Sequence, residues 1–173
     1  REDPRILPVR ADGGQWRDWL AAARRTVAEL LRAVDLEAGD FPAGVASDPA
    51  FPVVVPEPWL ARMRRGDPTD PLLLQVLPRG EEVAEVPGFV SEPIAESDAM
   101  PVPGLLHKYR DRALLVATGA CAVHCRYCFR RSFPYAGHTG LGRALEPVLA
   151  WLRTHPEVTE LVLSGGDPLT APD

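Results

Sequence analysis

The chain has 173 residues, 46% of them apolar and 25% charged, with a net charge of −5. This is the composition of a soluble globular protein, and the acidic balance gives no reason to expect nucleic acid or an anionic membrane as a partner. No apolar run approaches the ~20 residues of a membrane span, and no signal peptide is expected ahead of Trp16.

Taken in order, residues 1–10 read as extended and polar, with Asp12 as a candidate helix cap. Trp16, Trp19, Leu20, Ala23, Val27, Leu30, Leu31 and Val34 recur at helical spacing and predict one amphipathic helix docking on a core. Fourteen of the nineteen prolines precede residue 105, which excludes long regular elements from Gly39 to Gly104. Within that stretch, 51–55 reads as a short extended segment. Pro58 opens a helical turn or two over 59–65, and a second short helix covers 72–77. Residues 81–103 read as a long loop lying on something larger. Residues 1–104 are therefore expected to form a helical, proline-rich N-terminal region, and 105–173 the start of a second domain.

The second domain opens with basic residues at 107–112, followed by the buried strand Ala113 to Ala117. A cysteine loop, a helix over 141–155, a second buried strand over 158–163 and the turn Ser164-Gly165-Gly166-Asp167-Pro168 complete a βαβ unit of a parallel sheet. Chemistry in such folds gathers at the C-terminal ends of the strands, where both loops lie. Only two parallel strands are expected, leaving an open sheet edge prone to self-association.

The loop Cys121-Ala122-Val123-His124-Cys125-Arg126-Tyr127-Cys128 holds every cysteine of the chain. No disulfide framework is expected, which suits a reducing cytoplasm. Three soft thiolates from one short loop suit a single metal centre. The alternatives are a Cys3His zinc site using His124 and three unrelated core thiols, but a zinc ribbon would bring a second C-x2-C pair and none exists. Iron–sulfur clusters are commonly held by four thiolates, so three would leave one iron open. The glycines at 165 and 166 let backbone approach a ligand with no Cβ in the way, and Asp167 adds an acceptor.

The spacing C-x3-C-x2-C resembles that of the radical S-adenosylmethionine (SAM) enzymes. The segments Leu105-Leu106-His107-Lys108-Tyr109, 121–131, Phe133-Pro134-Tyr135 and 164–168 narrow the likeness to the lysine 2,3-aminomutase family. Within it they resemble the bacterial branch that makes (R)-β-lysine for modification of elongation factor P. The resemblance implies a radical SAM (β/α) barrel, a [4Fe–4S] cluster on Cys121, Cys125 and Cys128, SAM and pyridoxal phosphate (PLP). It also implies L-lysine as substrate, isomerised by 2,3-amino migration, with an external electron donor. By position, Tyr127 matches the aromatic residue near the adenine, and Gly165, Gly166 and Asp167 match the loop that holds the SAM amino group. Lys108 and Arg112 match PLP-phosphate positions, although Lys108 replaces the arginine of clostridial relatives. Arg130 matches the arginine that pairs with the lysine carboxylate. No role is implied for Arg126 or Arg131, and His107, His138 and His155 are expected to be turn or surface residues.

In the family, the PLP Schiff-base lysine and the acidic residues gripping the substrate amine lie far downstream. The only lysine here is Lys108, so both are expected beyond residue 173. The 173-residue chain, read as a partial barrel, is expected not to make β-lysine by itself. The competing readings are another radical SAM reaction and a non-catalytic iron–sulfur module. A homo-oligomer is compatible with the sequence.

Overall fold

A computed structural model describes residues 16–47, 51–138 and 145–171. Asp12 and the start of the 141–155 helix fall outside the described residues. The chain divides into two compact units, one made of residues up to Pro87 together with Ala122–Cys128, the other of Gly88–Cys121 with Phe129 onward.

In the first unit, the helix expected to run from Trp16 to Val34 is broken. Helix α1 spans Trp16–Ala21 and α2 spans Val27–Ala33. The break has a local cause. Arg24 leaves helical geometry to pair antiparallel with Val55, its N–H donating to the Val55 carbonyl at 2.9 Å and its carbonyl accepting the Val55 N–H at 3.0 Å. Thr26 then starts α2 with a capping box: its hydroxyl accepts the Glu29 N–H, and the Glu29 carboxylate accepts the Thr26 N–H. Helix α2 buries Leu30 and Leu31 in a core that includes Val55, Leu60, Met63, Leu73 and Leu77. Helix α1 buries nothing, and Trp16 is exposed.

The proline-rich stretch behaves as its composition predicts. Helix α3 is a single turn, Glu57–Leu60, with proline in its first turn. Leu73–Gln75 is a 3-10 turn rather than an α-helix. Its start is held by Asp70, a buried carboxylate that accepts the N–H groups of Arg64, Leu72 and Leu73 at 3.2, 2.9 and 3.0 Å. Three donors on one anion satisfy a charge that would otherwise be costly to bury.

The second unit is a three-stranded mixed sheet in the order β1-β2-β3. Strand β2 (Arg112–Thr118) and strand β3 (Glu160–Gly165) are the expected parallel pair, with Ala113 opposite Leu161 and Leu115 opposite Leu163. Strand β1 (Leu105–Tyr109) is a third strand that was not expected: the basic segment folds back antiparallel on β2, with Leu105 opposite Leu115. Alternation sorts the sheet's two faces. Leu105, Ala113 and Leu115 pack with Val148 of helix α4 (Leu145–Arg153), whereas Leu106 and Val116 pack with Phe133. Leu163 stays 56% exposed, and β3 has no further strand beside it among the described residues. The observed fold is thus a small α/β arrangement with one βαβ unit. No helix among the described residues is long and apolar enough to cross a membrane.

Candidate functional site

Residues 122–128 of the cysteine loop are clamped within the first unit. Val123 packs against its core, and the His124 and Arg126 N–H groups donate to Val54 and Gln75 carbonyls at 3.1 and 2.8 Å. The Arg126 guanidinium pairs with Glu82 at 2.5 Å, giving a structural role to a residue that had none. His124 stacks on Phe51, and its Nδ1 lies 2.7 Å from the Pro52 carbonyl. Burial holds the His124 imidazole below its usual pKa, partly offset by that carbonyl. Its neutral form therefore donates from Nδ1, and the ring is used as an anchor.

Anchoring on both sides forms a turn in which the Cys128 N–H donates to the Cys125 carbonyl at 3.1 Å. Burial first, and Cys128 second, push the Cys125 thiol above its usual range. None of the three cysteines is in a disulfide, and all three are partly accessible. Cys121 belongs to the second unit. The donor chemistry suits a soft metal centre. Among the described residues, no three His, Cys, Asp or Glu side chains are grouped closely enough to hold a metal ion.

In the second unit, the ends of β2 and β3 are joined by backbone. Gly166 N–H donates to the Thr118 carbonyl at 2.7 Å and Asp167 N–H to the Ala120 carbonyl at 2.8 Å. This contact explains both glycines without a ligand. A Cβ on Gly165, whose φ is +110°, would lie 2.6 Å from the Thr118 carbonyl oxygen, and one on Gly166 would overlap the Ala120 carbonyl. The Asp167 carboxylate accepts the Leu169 N–H at 3.0 Å, capping the turn Pro168–Thr170. Tyr127, in the first unit, is 63% exposed, its hydroxyl 3.4 Å from Gln75 Oε1.

The basic residues sit as follows. Lys108 and Arg112 line one cavity of about 280 Å³ in the second unit, with Ile94, Glu96, Tyr109 and Val162 among its other walls. Lys108 Nζ donates to the Ile94 carbonyl, and Arg112 pairs with Glu160 in a half-exposed contact. Two cations on one cavity suit a phosphate-bearing ligand. Arg130 is buried, and its guanidinium is already engaged by the Glu96 carboxylate. Sequence reading missed Glu96, one acid in a long loop with no periodicity to mark it. His107 and His155 are not plain surface residues: both pack against Trp151 of α4, His155 stacked on it with ring centroids 3.7 Å apart.

The fold and its loops define an α/β protein in which three cysteines fall, in sequence, between two parallel strands, and the unit that holds those strands also carries a basic cavity. The chain is a homologue of proteins named L-lysine 2,3-aminomutase. It is 40% identical to that of Haemophilus influenzae over 172 residues, covering 98% of this chain and 51% of the relative. With the Escherichia coli protein it shares 46% identity over 160 residues, 90% of this chain and 46% of the relative. The Clostridium subterminale protein is 31% identical over 164 residues, 91% of this chain and 39% of the relative. The chain thus spans about half the length of the curated relatives it matches. No family model matches it.

Proposed function

We propose that this chain supplies the cluster-, SAM- and phosphate-binding part of a cytoplasmic radical SAM enzyme. The proposed reaction is isomerisation of L-lysine to (R)-β-lysine, which serves elongation factor P modification. The observation that carries the reading is that three cysteines at C-x3-C-x2-C spacing, none of them in a disulfide, lie inside a stretch aligned with L-lysine 2,3-aminomutases over nearly its whole length. The βαβ unit is in this reading the beginning of a (β/α) barrel.

When bound, a [4Fe–4S] cluster with SAM supplies a hydrogen-atom abstractor, and PLP supplies a carrier for the migrating nitrogen. The chain's own residues would do the following. Cys121, Cys125 and Cys128 give three thiolates and leave the fourth cluster position to SAM. Tyr127 offers an exposed ring to the adenine. Asp167 offers carboxylate and backbone groups to the SAM amine, on a turn whose shape Gly165 and Gly166 permit. Lys108 and Arg112 neutralise a phosphate in the cavity they share. Arg130 holds the lysine carboxylate through its planar fork.

The test is to reconstitute the complete gene product with iron and sulfide, add SAM, PLP, dithionite and L-lysine, and look for β-lysine by chiral chromatography. (R)-β-lysine absent from Cys125→Ala controls is the expected product. 5′-Deoxyadenosine without any β-lysine would point to a different radical SAM reaction. Neither product would remove the enzyme reading.

A further inference from the structure

The Arg130–Glu96 pair is closed to solvent, with side chains 7% and 6% exposed. Arg130 Nε donates to both Glu96 carboxylate oxygens, at 3.1 and 2.8 Å, and Nη2 donates to Oε1 at 2.7 Å. Nη1 faces Ser164 Oγ at 3.0 Å and the Gly165 carbonyl at 3.4 Å. A guanidinium binds a carboxylate through one of its two-nitrogen edges. Here one edge is filled and the other is half committed to β3.

Resting on Arg130 as the group for the substrate carboxylate, we propose that Glu96 is a built-in competitor for it: Glu96 occupies Arg130 in the free protein and is displaced when a carboxylate-bearing amino acid binds. Charge decides between displacement and sharing. A second carboxylate added with Glu96 in place would put two anions on one cation away from water, which low dielectric penalises. Exchange keeps the buried charge balanced, since one carboxylate enters as the other leaves.

The segment carrying Glu96 is suited to leaving. Phe89 and Val90 are 82% and 73% exposed, so its large apolar side chains are not fixed in a core. Ala95, next to Glu96, has a φ of +46°, a left-handed conformation that alanine disfavours. The same segment gives Lys108 its Ile94 carbonyl partner, so it covers two of the cations assigned to anionic groups. Glu96 is therefore an affinity- and selectivity-setting residue, making binding conditional on a carboxylate strong enough to replace it.

The experiment compares L-lysine with L-lysinamide, which lacks the carboxylate, by calorimetry on the reconstituted complete gene product carrying SAM and PLP. The wild type should bind L-lysine more tightly than L-lysinamide. Glu96→Gln, which keeps the shape and removes the charge, should tighten L-lysine about tenfold and leave L-lysinamide unchanged. Weakened or unchanged L-lysine binding in Glu96→Gln overturns displacement and makes Glu96 a residue that orients Arg130. No discrimination by the wild type would remove the Arg130 assignment, and this inference with it. Should Glu96→Gln not fold, hydrogen exchange in the wild type decides: amides across 92–98 should exchange faster with L-lysine than with L-lysinamide. Equal or slower exchange overturns the proposal.

Discussion

At the scale of single residues, close backbone approach separates two roles that the sequence leaves merged at Gly165 and Gly166. The pair suits a ligand cradle, yet the space that each Cβ would fill is already taken by carbonyls leading into the cysteine loop. Gly166→Ala should therefore destabilise the protein by about 1–3 kcal/mol, the range for forcing extra atoms into a packed site. Chemical denaturation without any ligand measures this, and an unchanged midpoint would return the glycine to a purely ligand-binding role. Arg112 makes the opposite case. Its ion pair with Glu160 is half exposed and worth about 0–1 kcal/mol. Arg112→Ala should leave stability nearly unchanged while lowering PLP occupancy, read from the ring's absorbance in the complete gene product. Equal PLP occupancy would make Arg112 an ordinary surface cation.

At the scale of elements, the break between α1 and α2 was legible in part. Thr26-Val27-Ala28-Glu29 carries a capping-box pattern, but an uninterrupted apolar periodicity from Trp16 to Val34 outweighs it on paper. The pairing of Arg24 with Val55 decides the matter, and a contact across thirty residues leaves no local trace. Thr26→Ala should cost about 1 kcal/mol of stability through loss of the cap. At the other end of α2, Asp35 adopts a φ of +55°, and its hydrogen bonds to Arg65 hold its carboxyl below the usual range. A depressed folded-state pKa contributes stability above the ordinary aspartate value of about 3.9 and loses it as pH falls through the folded value. Asp35→Asn tolerates the same backbone. It should flatten the acid limb of a stability–pH curve below about pH 4. An identical acid limb would show that the pair is screened out. Strand β1 was hidden for a different reason: a segment rich in His, Lys and Arg lacks strand composition, and only Leu105 and Leu106 report burial.

At the scale of the whole molecule, the sequence is most legible where chemistry is written in consecutive residues. The cysteine spacing, the parallel pair β2 and β3 and the helix between them could be taken from short windows, and the aligned relatives bear the family resemblance out. Partnerships between distant residues could not. Glu96 on Arg130, Glu82 on Arg126 and Ile94 on Lys108 each join a featureless loop to a motif residue, and only the fold brings them together.

The central claim is that the cysteine loop holds a cluster with one position open to SAM. It is tested most directly by reconstituting the wild-type chain and the Cys121→Ala, Cys125→Ala and Cys128→Ala variants anaerobically with iron and sulfide. Bound iron is then counted, and the reduced cluster's electron paramagnetic resonance is recorded with and without SAM. The expected result is about four irons per wild-type chain, a spectrum altered by SAM, and loss of the cluster in every variant. A full-strength cluster in any of the three variants, or a wild-type spectrum indifferent to SAM, would contradict it.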